Sequence, residues 1–198
     1  MSSIMKQILI SVLIILTTTV CHARDDHYEW RTSYNNLGYL NSTLSLEGMH
    51  DLKSSFGFSY TAGKTYYLHA PIAGIMRFGI DVTWFDLNYA KYKIKYNTHL
   101  YSDTFRYYQS ELSVHIGPSV SLQLGWLNFH GYLRYAPTYS VLYANSSLYS
   151  NYATYFVGGA AISLGSIGLG VESRIGEHDY DPTSSLHNGR KVYLTFRF

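Results

Sequence analysis

Residues 190–198 read Arg190-Lys191-Val192-Tyr193-Leu194-Thr195-Phe196-Arg197-Phe198. Val192, Leu194, Phe196 and Phe198 fall at every second position, with Tyr193, Thr195 and Arg197 between them. A period of two sends successive side chains to opposite faces, so this segment is predicted to be a strand with one apolar and one polar face.

The same pattern recurs upstream. Phe78, Ile80, Val82 and Trp84 alternate with Arg77, Gly79, Asp81 and Thr83. Leu112, Val114 and Ile116 alternate with Glu111, Ser113 and His115. Leu127, Phe129, Leu133 and Tyr135 alternate with Asn128, His130, Tyr132 and Arg134. Ile167, Leu169 and Val171 alternate with Gly168, Gly170, Glu172 and Arg174. Three weaker segments complete the set: 39–47 with Leu40, Leu44 and Leu46, 54–62 with Phe56, Phe58 and Tyr60, and the small, aromatic stretch 152–164. Residues 135–171 carry no charge, but Gly158, Gly159, Gly165, Gly168 and Gly170 make a poor helix, and a tight turn at Leu164-Gly165-Ser166 between two strands reads better. Eight strands are expected, with ten left open because 28–39 and 63–73 could add pairing.

Composition agrees. Charged residues are 14% of the chain, against roughly 25% in an average soluble domain. Aromatics are 17%, with 21 tyrosines. A net charge of +2 gives no basic excess for nucleic acid.

The first residues set the compartment. Lys6, an uncharged run over 8–20 and Cys21-His22-Ala23 have the three-part pattern of a secretory signal peptide cleaved after Ala23. The run is shorter than the ~20 residues a spanning helix needs. Val20 before Cys21 disfavours a lipoprotein signal, where a small residue is expected. The expected domain organisation is a leader over 1–23 and one domain over 24–198. That domain has no cysteine, so its stability must come from the fold or the membrane.

Long and short connections alternate in the second half: 88–107 long, 121–126 short, 137–151 long, 165 tight, 176–189 long. Up-and-down barrels of the outer membrane are connected this way. The first half fits less well, with 63–73 too long for a turn and 48–53 brief. A membrane barrel turns its apolar face outward, and a soluble one turns it inward. Mixed charge on the polar faces, at Arg77, Asp81, Glu111, Arg134, Glu172, Arg174 and Arg197, suits a closed lumen in which each charge needs a partner. Trp84, Tyr89, Trp126, Tyr135, Tyr152 and Phe198 lie toward strand ends, as interfacial aromatics do.

Val192, Leu194, Phe196 and Phe198 resemble the C-terminal β-signal of outer-membrane proteins, and the strand series resembles small eight-stranded barrels of the OmpA/OmpX type. That resemblance implies an all-β, antiparallel up-and-down transmembrane barrel in the outer membrane. The implied partners are the barrel-assembly machinery, outer-membrane lipids and lipopolysaccharide. No cofactor is implied.

The candidate sites follow from these faces. Arg77, Asp81, Glu111, His115, Arg134, Glu172, Arg174 and Arg197 are expected to form a polar network in the lumen. Lys91, Tyr92, Lys93, Lys95 and Tyr96 interleave cations and aromatics on the expected long loop, for contact with an anionic or glycan surface. The alternative is that the flanking strands simply extend as a hairpin. Glu111, Ser113 and His115 invite a hydrolase reading, but same-face neighbours along one strand are nearly 7 Å apart. The eight histidines after residue 23 show no metal-ligand spacing; His178, Asp179, Asp181 and His187 share one long link, where a solvated polar loop is the simpler reading. The function expected is a non-enzymatic structural or surface-interaction barrel. The alternatives are a lipid A acyl hydrolase or transferase using Ser113 and His115, a narrow pore, or a soluble barrel around an apolar ligand.

Overall fold

A computed structural model describes residues 30–46, 52–98, 101–144, 147–180 and 183–198. The expected leader lies outside these residues. Eight strands follow in chain order: β1 Arg31–Leu46, β2 Leu52–Tyr67, β3 Met76–Thr98, β4 Tyr101–Leu124, β5 Leu127–Ala144, β6 Ser147–Leu164, β7 Ile167–Tyr180 and β8 Thr183–Arg197. Each pairs antiparallel with the next, and β1 closes on β8, so the sheet is a barrel without edges.

The predicted strands are all present and all longer than the alternation marked. The stretch 88–107, expected as a loop, is a ribbon: Lys91 pairs with Tyr108, and pairing continues to Thr98 opposite Tyr101. The stretches 137–151 and 176–189 are likewise mostly strand. β3 and β4 run 23 and 24 residues, where about 9–11 tilted residues cross a bilayer, so this hairpin stands well beyond the rest of the wall. At the other end, Gly125 and Gly165 hold φ of +62° and +59° in two-residue turns, a conformation that costs glycine nothing. The long connection there is 68–75, shorter than the 63–73 reading implied because 63–67 belong to β2.

One irregularity decides which residues face inward. Thr83 pairs with His115 and Asp86 with Ser113, and on the other side Gly63 pairs with Thr83 and Ala62 with Phe85. β3 therefore carries one extra residue against both neighbours, a bulge at Trp84. Trp84 and Phe85 are consecutive and both exposed. Beyond them the parity of the strand reverses, and Asp86, Asn88, Ala90 and Tyr92 point inward.

The wall is inverted relative to a soluble protein. Leu133, Phe156, Leu169, Val171 and Val192 are more than half exposed, whereas Asp81, Asp86, Glu111, Arg134 and Lys191 are at most 3% exposed. Val192, Leu194, Phe196 and Phe198 all lie outside. Leu40, expected on the apolar face of the first strand, is instead interior and lies over Gly57.

The interior is filled largely by tyrosine. Four inward tyrosines each sit directly opposite a glycine in the strand register: Tyr34 and Gly63, Tyr132 and Gly159, Tyr155 and Gly176, Tyr193 and Gly170. A Cβ on any of these glycines would lie 2.3–2.4 Å from the tyrosine. The glycines that spoiled a helix in 155–171 are thus partly seats for rings.

Candidate functional site

The chemistry of this molecule is concentrated in the interior, where the polar faces of all eight strands meet. Among the described residues it holds four carboxylates, and three of them are held the same way, by one tyrosine hydroxyl and one guanidinium. Tyr34 donates to Asp81 at 2.5 Å, and Arg134 lies 3.1 Å from the same carboxylate. Tyr132 donates to Glu172 at 2.7 Å, with Arg134 at 3.6 Å. Tyr155 donates to Glu111 at 2.7 Å, with Arg174 at 2.5 Å.

The fourth, Asp86, receives hydroxyls from Thr61 and Ser113 and the amide of Asn88. Lys191 bridges it to Glu172, at 3.4 Å and 2.8 Å respectively. The Asp81 and Glu172 pairs and Asp86 therefore form one chain: Ser121, His130, Asp81, Arg134, Glu172, Lys191, Asp86. Above it, Tyr92 joins Ser42 and Gln109, and His187 lies 2.6 Å from the Tyr155 hydroxyl. Guanidinium groups also stack on the rings: Arg134 sits 3.5 Å from the Tyr132 centroid and Arg77 3.8 Å from that of Tyr67. Buried charges without such partners would cost several kcal/mol each.

Of the residues predicted from sequence for the lumen, Asp81, Glu111, His115, Arg134, Glu172, Arg174 and Arg197 are interior and buried. Arg77 is half-buried at the short-turn end, on Tyr67 and Gln123, apart from the central chain. Asp86, Lys191, His130, His187 and Gln109 also belong to the network, beyond the predicted lumen set. Lys191 and His187 follow from extending the alternation of Tyr193, Thr195 and Arg197 back by two and six residues. Asp86 lies beyond the bulge and carries no such signal.

The contact residues predicted on an outer loop need correction. All five belong to β3, not a loop. Tyr92 is fully buried inside the barrel because the Trp84 bulge turned it inward. Lys91 and Lys93 do face outward, Lys91 beside the Tyr108 ring. The side chains of Lys95 and Tyr96 lie outside the described residues.

Ser113 and His115 are 3.1 Å apart, closer than strand spacing alone allows. The arrangement still lacks the orientation of a nucleophile–base pair. Ser113 Oγ and Asp86 both approach the same His115 nitrogen, Nε2, and Nδ1 has no hydrogen-bond partner among the described residues. An orienting acid belongs on the nitrogen opposite the nucleophile. All three side chains are buried inside the barrel. Of the possible metal group, His187 is interior, and the side chains of His178, Asp179 and Asp181 lie outside the described residues. Among the described residues no cluster of three His, Cys, Asp or Glu is placed to hold a metal.

No family model matches this chain, and no curated protein matches it in sequence. Solved structures do match its fold. The outer membrane protease OmpT from Escherichia coli superposes with a TM-score of 0.51 at 10% identity, covering 89% of this chain and 99% of that one. Ail, the attachment invasion locus protein of Yersinia pestis, gives 0.44 at 10% identity, covering 84% and 98%. Neisserial surface protein A gives 0.47 at 13% identity, covering 84% and 97%. The chain has the antiparallel barrel fold of outer-membrane proteins.

Proposed function

We propose that this chain is a non-enzymatic outer-membrane barrel with a lumen closed by its own side chains, acting through the surface it presents beyond the bilayer. The observation that carries the reading is the inversion: apolar side chains cover the outside, and every described carboxylate side chain is buried inside. In water such a wall would expose an apolar surface far larger than the few hundred Å² a soluble protein tolerates. In lipid it is the favourable arrangement.

Charge on the outside supports the same reading. Arg31 and Lys64 lie toward the short-turn end, and Lys53, Lys91, Lys93 and Arg190 toward the other. Cations at both rims match the anionic headgroups of a bilayer. Aromatic pairs sit at both rims too: Tyr66 with Trp84, and Tyr139 with Tyr152 at 5.4 Å between centroids. The β3–β4 hairpin, with Lys91 and Lys93 outward, is the surface most exposed to partners, and lipopolysaccharide is the expected neighbour. The leader over 1–23 delivers the chain, and the outward Val192, Leu194, Phe196 and Phe198 present the assembly signal.

The test is a detergent gel of isolated outer membranes, with and without boiling. A band that shifts on boiling, in the outer-membrane fraction, is the expected result. A soluble periplasmic protein without a shift would overturn the reading. For the non-enzymatic part, lipid A from cells with and without the gene should have the same mass. An acyl-chain difference abolished by Ser113→Ala would overturn it.

A further inference from the structure

The outer wall has a dent that the proposed function does not use. A groove of about 490 Å³ lies over β4 to β7, walled by Ile116, Leu133, Tyr135, Phe156 and Ile175. A second, of about 460 Å³, lies over β6 to β8 between Val171 and Val192. Both include Gly158 and Ser173, so they are one trough. It exists because Gly158, Ala160 and Ser173 present almost no side chain between larger neighbours. Each groove alone is within the size range of small-molecule sites.

The strand register fixes what stands at its edge. Leu133 pairs with Gly158, Gly158 with Ser173, Ser173 with Arg190, and Arg190 with Asn41. Arg190 thus closes one level of the trough. On its own strand the outward residues toward the short turns are Val192, Leu194, Phe196 and Phe198, all apolar, and the next outward residue beyond it is Asn188. Arg190 is the boundary of the apolar band.

Its side chain is exposed and makes no hydrogen bond or ion pair among the described residues. No carboxylate can reach it from the described wall, because Asp81, Asp86, Glu111 and Glu172 all point inward. An apolar trough ending at an unneutralised guanidinium fits an amphipathic anion. The guanidinium fork matches a phosphate in particular.

We propose that this trough is a binding site for a phosphate-bearing acyl lipid, with the phosphate on Arg190 and one chain lying over Gly158. The inference rests on the membrane reading above. The full-length protein, refolded in detergent, is titrated with dipalmitoyl phosphatidylglycerol or with dipalmitoylglycerol, which has the same chains and no phosphate, and bound lipid is counted by native mass spectrometry. The wild type should retain the phosphate-bearing lipid about tenfold more than the uncharged one, the ratio expected of one charge-assisted hydrogen-bonded pair. Arg190→Gln should bring the two lipids level. Ala160→Leu, which fills the trough without touching the interior, should lower retention of both.

Equal retention of both lipids by the wild type, or unchanged retention by Arg190→Gln, would overturn the proposal. So would displacement of the bound lipid by glycerol phosphate at equal concentration, because the chain would then contribute nothing. The boiling shift of each variant separates these outcomes from a failure of the membrane reading: a shifting band with no lipid preference removes only the site.

Discussion

Lys191 joins two carboxylates of the interior, because it stands between Asp86 and Glu172. Lys191→Met would leave two buried carboxylates without their shared cation. The expected loss is about 3–5 kcal/mol, the cost of breaking a buried pair from one side, read as a lower temperature for the gel shift. Adding Glu172→Gln should recover part of that loss, and no recovery would mean the lysine acts through packing alone. The glycine seats make a second prediction. Gly170→Val drives a side chain into the Tyr193 ring, an overpacking that costs about 1–3 kcal/mol. Shrinking the ring with Tyr193→Ala should relieve the clash, so the double variant should denature closer to Tyr193→Ala alone than additive costs would place it.

At the scale of the strand, a single inserted residue outweighs many side chains. Most of the strands were legible because one face of each is apolar, whereas β1 gave only a weak signal because Leu40 faces inward and Asn35 and Asn41 outward, and most of the lumen charges followed because the alternation was unbroken around them. Asp81 and Arg134 are examples. Asp86 and Tyr92 were not legible: both lie past the bulge at Trp84, and a period-two pattern carries no mark of where a strand gains a residue. The ribbon over 88–107 was equally hidden, since lysine and tyrosine read as a loop when spacing is the only guide. Deleting Trp84 tests this account directly. The deletion removes the extra residue and restores simple alternation from Thr83 through Phe85 to Asp86, so Asp86 and Tyr92 stay inward and Lys91 and Lys93 stay outward. The variant should therefore keep the Lys191 pairs and yield a heat-modifiable band, as should Trp84→Leu, which keeps the bulge. Loss of the band in the deletion alone would show that the barrel needs the bulge itself and not only the parity beyond it.

For the whole molecule, the question is whether the barrel conducts. An eight-stranded barrel is just wide enough for side chains to fill, and here they are tyrosines and arginines stacked on one another. Tyr34 lies between Arg134 and Arg197, 5.3 and 5.6 Å from its ring, and Tyr132 lies beneath Arg134. Every step along the axis meets a ring or an ion pair, and an ion crossing would have to break pairs that stabilise each other. The wild type in a planar bilayer should therefore show no steady conductance. Arg134 holds two rings against its guanidinium, so the combined change Tyr34→Ala, Tyr132→Ala removes both while leaving the Asp81–Arg134–Glu172 charges paired. That variant should admit water and show small, salt-dependent conductance steps while keeping its boiling shift. Steady conductance in the wild type would mean that the plug opens in the membrane, and the barrel would then be a narrow pore.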